Sequence, residues 1–143
     1  MALVLFDTNI VIDALNGIAQ ASQELEYYTN PAISTVTWME LIAGASLSEQ
    51  PRARAFLIKL GFEVIQTNDA IMHEAAALRS ASMRRPPKIP LLDAIIKATA
   101  TVTGRLIITR NKKDFVGQNI RIPYELETHT IVQVINVMPP PPP

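Results

Sequence analysis

The chain of 143 residues contains no cysteine, which excludes disulfides, thiolate metal sites and a cysteine nucleophile together. It has only two histidines, His73 and His129. Both lie far in sequence from the acidic residues singled out below, so they read as structural or surface residues and a histidine-based zinc centre is not expected. No apolar run approaches the ~20 residues of a membrane-spanning helix. The start, Met1 to Asp7, lacks a basic n-region and a small-residue cleavage site, so no signal peptide is expected and a cytoplasmic setting is. The formal net charge is +0, which by itself argues against a general nucleic-acid binder.

What is present is a 48% hydrophobic composition and a mean hydropathy of +0.18, enough to bury the core of one domain. Residues 2–6 read as a continuous buried strand, followed by helical spacing through Ile10, Val11, Leu15 and Ile18 with Gly17 as C-cap. A second helix is expected over 19–28, a short strand over 32–36, and then a helix with Thr37 as N-cap and Glu40 three residues on, the capping-box spacing. Further helices are expected from Ser48 to Gly61 and from Asn68 or Asp69 through Ser82, with a strand at 63–66 between them. After a basic, proline-rich loop at 84–90, residues 91–103 read as helix, Gly104 as its stop and 105–109 as strand. This alternation predicts an α/β domain with a mostly parallel sheet. Beyond Phe115, residues 120–122 suggest an edge strand and 130–137 one more, and the run Pro139–Pro143 reads as a disordered polyproline II tail.

Against this apolar background four acids stand out. Asp7 ends the first strand, Glu40 sits in Trp38-Met39-Glu40-Leu41, Asp93 interrupts Leu91-Leu92-Asp93-Ala94-Ile95, and Asp114 precedes Phe115. Isolated buried charge costs several kcal/mol, so four such carboxylates suggest a shared counter-ion, most economically a hard divalent cation. If the strands are parallel, all four lie near their carboxyl ends and can converge on one volume. Three of them also have a plainer reading: Asp7 as a helix cap, Glu40 as the capping-box acid, Asp93 as a favourable charge at a helix start. Asp13, six residues from Asp7, reads as a supporting or helix-surface residue rather than a ligand, and Trp38 as core. The charge distribution adds a second signal. Residues 1–78 carry nine acids and three bases, whereas residues 79–113 carry nine bases and only Asp93. That suits a site holding both a cation and a polyanion.

These residues carry a resemblance to the PIN-domain ribonucleases, and specifically to the VapC-type toxins of bacterial toxin–antitoxin pairs. The matching pieces are Asp7-Thr8-Asn9-Ile10-Val11-Ile12-Asp13, Trp38-Met39-Glu40-Leu41 with Gly44, Pro90 to Ala100 around Asp93, and Ile108-Thr109-Arg110-Asn111-Lys112-Lys113-Asp114-Phe115. Their order and spacing agree over residues 3–123. The resemblance implies a PIN-like three-layer α/β/α sandwich at 1–123, with 124–143 as an extension. It also implies an endoribonuclease that needs Mg2+ or Mn2+, forms a homodimer and is blocked by a cognate antitoxin. Its acids would be Asp7, Glu40, Asp93 and Asp114, supported by Thr8, Asn9, Thr109 and Asn111, with Asn111 able to share or replace the role of Asp114. Arg84, Arg85, Lys88, Arg110, Lys112 and Lys113 would contact flanking RNA phosphates, fixing position rather than reading sequence.

Two other readings compete. A Mg2+-dependent phosphatase of the haloacid-dehalogenase type would want a second Asp where this chain has Asn9. A catalytically silent PIN-like protein acting only as a binding partner would have no need of all four acids. The apolar residues Ile10, Leu15, Ile18, Leu25, Tyr28, Phe56, Leu57 and Leu60 suit either a partner surface or, more often at helical spacing, core.

Overall fold

In a computed structural model, which describes residues 1–128 and 132–143, five short strands form the central sheet. They are β1 (Val4–Phe6), β2 (Pro31–Ser34), β3 (Glu63–Ile65), β4 (Leu106–Ile108) and β5 (Ile120–Arg121), in the order β3-β2-β1-β4-β5. Every pairing in it is parallel. The strands alternate with helices α1 (Thr8–Leu15), α2 (Ala19–Tyr27), α3 (Thr35–Gly44), α4 (Gln50–Lys59), α5 (Asp69–Arg84) and α6 (Leu91–Thr103).

Alternate residues of a strand point to opposite faces, and the core divides accordingly. Val4 and Phe6 of β1, Ile33 of β2 and Ile108 of β4 pack with side chains of α1, α2, α3 and α4. Leu5, Ala32 and Ile107 face the other way, onto Ile96 and Ala100 of α6, which α5 backs through Ile71 and Ala75. Both faces are covered, which is why β1 reads as an unbroken apolar run. The result is the expected α/β/α sandwich.

Local chemistry sets the helix ends. The Asp7 carboxylate accepts the Thr8 N–H at the start of α1, and Asn68 accepts the Ile71 N–H at the start of α5. Gly104 ends α6 at φ +66, a left-handed conformation suited to glycine. The cap of α3 differs from expectation. Ser34, not Thr37, is the N-cap, its hydroxyl accepting the Val36 N–H. Thr37 is therefore inside the first turn and Glu40 in the second, so the capping box does not form.

The apolar residues weighed as a partner surface are core instead: Ile10, Leu25, Tyr28 and Leu57 are buried, and Leu15, Ile18, Phe56 and Leu60 pack on the same cluster. The exposed apolar side chains are others, notably Leu47 at 86% and Ile58 at 80%. Trp38 packs against the core as predicted, and His73 lies exposed on α5, whereas His129 falls outside the described residues. Beyond β5, the expected strand in 130–137 is present as β7 (Val132–Ile135), but it does not join the central sheet. It pairs antiparallel with β6 (Glu125–Thr128), a strand the sequence reading missed, to form a separate hairpin. The following segment returns to the body: the Met138 N–H donates to the Pro123 carbonyl, and the Tyr27 hydroxyl to that of Pro141. Among the described residues no helix is long and apolar enough to cross a membrane.

Candidate functional site

The strand order places β1 between β2 on one side and β4 on the other. Connections from the two halves of an open parallel sheet part at such a point and leave a crevice at the carboxyl ends of the strands. Asp7 follows β1 directly, and residues 109–114 follow β4. Glu40 comes from α3, the helix after β2, and Asp93 from the first turn of α6, which leads back into β4.

Asp7 is 4% exposed and held from several sides. One carboxylate oxygen accepts the Thr8 N–H at 2.8 Å, and the other accepts the Thr109 hydroxyl at 2.7 Å and the Asn9 side-chain amide at 3.1 Å. Thr109 is fully buried, and its single hydroxyl proton goes to Asp7 while its oxygen accepts from the Asn111 N–H at 2.9 Å and the Asn9 amide at 3.3 Å. Asn9 completes the tie, its side-chain oxygen accepting the Arg110 N–H at 3.2 Å. Position 9 thus works as an amide donor beside Asp7, a role that an aspartate could not fill and that leaves the phosphatase reading without its acid–base group.

Glu40 is reached through Thr8, whose hydroxyl donates to the glutamate at 2.8 Å and lies 3.0 Å from the hydroxyl of buried Thr37. Asn111 folds onto Asp114 twice: its amide donates to the carboxylate at 2.9 Å and its oxygen accepts the Asp114 N–H at 3.2 Å. Asn111 is therefore occupied in orienting Asp114.

The acids register one another electrostatically. Burial pushes the Asp93 carboxyl up to about 7, reinforced by the charge of Asp7, by a side-chain hydrogen bond with Asp114, and by the charges of Asp114 and Glu40. The Asp7 carboxyl is also raised by burial and by Glu40, against the lowering effects of Thr109, Thr8 and Arg110. The structure brings all four sequence-predicted acids into mutual influence. The donor set is all oxygen, which suits a hard divalent cation. Among the described residues no three His, Cys, Asp or Glu side chains stand together as a finished ligand cage. A Mg2+-like ion, which keeps several waters and binds through one or two carboxylates, does not require one.

The basic residues sort into two groups. Arg110 grips buried Asp13 with both arms, at 2.5 and 3.0 Å, and Lys112 pairs with Glu125 of β6. Arg105, 8% exposed, is structural: it bonds the carbonyls of Val4 and Asn30 and the carboxylate of Glu63. Arg84, Arg85, Lys88 and Lys113 are exposed and make no ion pair among the described residues. Beside the acids lies an open groove of about 580 Å3, lined by Asn9, residues 110–113, Glu125 and Leu126.

Of the two places expected for Asp13, the structure shows the supporting one: it is 4% exposed and accepts from Arg110 and from the hydroxyl of fully buried Tyr124 at 2.7 Å. Its partners are 97 and 111 residues away, so no local pattern betrays them. Glu24 and Arg121 form a second such pair. Thr37 was legible, because three residues before Glu40 is nearly one helical turn and hence the same face.

Residues 4–116 match the PIN domain family. The chain is 31% identical over 124 residues to the tRNA(fMet)-specific endonuclease VapC of Shigella flexneri, covering 80% of this chain and 91% of that protein. Among solved structures, a toxin–antitoxin complex from Klebsiella pneumoniae aligns at 39% identity and a TM-score of 0.73, over 85% of this chain and 98% of that one. DNA-bound VapBC from Salmonella typhimurium, at 23% identity, shares the fold with a TM-score of 0.68 over 80% of this chain and 90% of that one.

Proposed function

The chain belongs to the PIN-domain family, and from that premise we propose a divalent-metal-dependent endoribonuclease that hydrolyses RNA phosphodiesters as the toxin of a toxin–antitoxin pair. One observation carries the reading: the charges of Asp7, Asp114 and Glu40, from three other segments, all reach Asp93, whose carboxyl is pushed up to about 7 by burial first and by these neighbours in addition. Like charges gathered at such cost suit a centre built to bind a cation. The named relatives, an endonuclease and a chain of a toxin–antitoxin complex, support the reaction class and a cognate antitoxin as partner; a homodimer and a cytoplasmic setting complete the proposal on the family resemblance. Residues 1–123 are the nuclease domain in this reading and 124–143 an extension.

Asp7, Asp93 and Asp114 would hold Mg2+ or Mn2+, with Glu40 beside them. When bound, the ion supplies Lewis-acid activation of water and neutralises charge on the scissile phosphate. The chain supplies the rest. The Thr8 N–H and the Thr109 hydroxyl fix the Asp7 carboxylate in one orientation, so no reorganisation is needed as charge develops. The amide and backbone bonds of Asn111 do the same for Asp114. Glu40, exposed and among the described residues hydrogen-bonded only through Thr8, would orient the attacking water and take its proton. Arg84, Arg85, Lys88 and Lys113 hold flanking phosphates, while Arg110 acts through Asp13 and Asn9 on the shape of the site.

Asp7→Asn and Asp93→Asn each remove one carboxylate charge while keeping side-chain size. Both are expected to abolish Mn2+-dependent cleavage of RNA, measured by gel on total RNA with an EDTA control, and to retain wild-type far-UV circular dichroism. Full activity in both variants overturns the metal-site assignment.

A further inference from the structure

The groove beside the acids has two walls of different origin. One is the loop after β4, residues 110–113, which lies within the residues matched to the family; the other is Glu125 and Leu126 of β6, which lie past the matched end at residue 116. Both walls are anchored to one buried carboxylate. Asp13 accepts the Arg110 guanidinium from the first and the hydroxyl of Tyr124, the residue next to Glu125, from the second. Asn9 joins this frame to the catalytic acids, since it bonds both Asp7 and the Arg110 backbone. The groove is therefore a fixed continuation of the site, not a chance gap between a loop and a hairpin.

Its charges are arranged unevenly. Lys113 makes no ion pair among the described residues, while Lys112 crosses the groove to Glu125. Glu125 is a misfit in a channel for a polyanion unless the contact is meant to break. Its other oxygen is held by the Asn136 side chain, which keeps it in place at the rim.

We propose that this groove is a backbone-phosphate subsite for RNA, that the C-terminal hairpin forms its second wall, and that Glu125 holds Lys112 in reserve until a phosphate takes it. The proposal rests on the nuclease reading above. An RNA strand leaving the acids then meets Lys113 first and competes with Glu125 for Lys112.

The test is the binding of a fluorescein-labelled single-stranded RNA to the full-length protein in EDTA, by anisotropy at several salt concentrations. Glu125→Gln keeps an oxygen for Asn136 but removes the competing charge. It is expected to bind about threefold to tenfold tighter, with a log–log salt slope steeper by about 0.7, the value for one added phosphate contact to a single strand. Adding Lys112→Gln to that variant returns both quantities toward wild type. Unchanged or weaker binding by Glu125→Gln overturns the proposal. Adding Mn2+ to the same samples separates the two readings. Cleavage with no effect of Glu125→Gln on binding, or with no binding in EDTA, overturns the subsite alone. Neither binding nor cleavage by the wild type overturns the nuclease reading and the subsite with it.

Discussion

At the scale of single residues, Asp93 holds the most information. Its carboxyl has an ordinary value of 3.8 and is raised to about 7 in the folded chain, mainly by burial and by Asp7. Between those two values the folded state keeps a proton that the unfolded state has lost. Asp93 therefore contributes stability that is full at low pH and disappears as pH rises through about 7. Without metal, the wild-type protein is expected to lose melting temperature relative to Asp93→Asn between pH 5 and pH 8. Saturating Mn2+ should reverse the loss at the upper end, where the carboxylate is free to bind it. Thermal melts of both proteins with EDTA and with Mn2+ check this, and a pH-independent difference in EDTA would contradict it. Asp7, Glu40 and Asp93 stand out in the sequence because each interrupts or ends an apolar stretch, where charge is conspicuous, whereas Asp114 follows Lys112 and Lys113 and stands out mainly through the family motif. The partners of Asp13 are not readable in the same way, because it occupies an ordinary helical position and only the fold brings Arg110 and Tyr124 to it.

At the scale of elements, the start of α3 shows how a local rule can be satisfied in the wrong place. Thr37 and Glu40 have capping-box spacing, yet the helix begins earlier because Ser34 stands at the end of β2 with extended backbone and accepts the Val36 N–H. A hydroxyl at 34 shortens the strand and frees Thr37 to face Thr8. Ser34→Ala is expected to destabilise the protein by about 1 kcal/mol, the usual cost of a lost N-cap. A urea denaturation midpoint unchanged from wild type would show that the cap is not used. The helix α6 was legible at both ends, from Pro90 and Gly104, because those residue types restrict the backbone directly. Strand β6 was not, because Glu125-Leu126-Glu127-Thr128 offers one apolar residue in four. Its formation depends on β7 and on Leu126 and Val134 packing against the body, which no local window contains.

At the scale of the whole molecule, the question is how residues past the family-matched region are bound to it. The central sheet ends at β5, and there Arg121 reaches the helical layer at Glu24, with bonds of 2.5 and 3.0 Å to the two carboxylate oxygens. The same guanidinium donates to the Met138 carbonyl at 2.5 Å, so one side chain fastens the sheet edge, α2 and the returning C-terminal segment. The side chains of Glu24 and Arg121 are only 2% and 14% exposed, which takes this pair out of the class of weak surface bridges. Burying both ions is costly, and their attraction offsets that cost only while both are present. Glu24→Leu leaves an uncompensated arginine in the interior and is expected to cost roughly 3–5 kcal/mol by urea denaturation. Arg121→Met in the same chain removes the stranded charge and should restore most of the loss, giving a coupling energy well outside additivity. If the double variant is as unstable as the sum of the two single variants, the pair is not what joins the extension to the domain. The attachment would then rest on Tyr124, the apolar side of the hairpin, and the Lys112–Glu125 and Tyr27–Pro141 contacts.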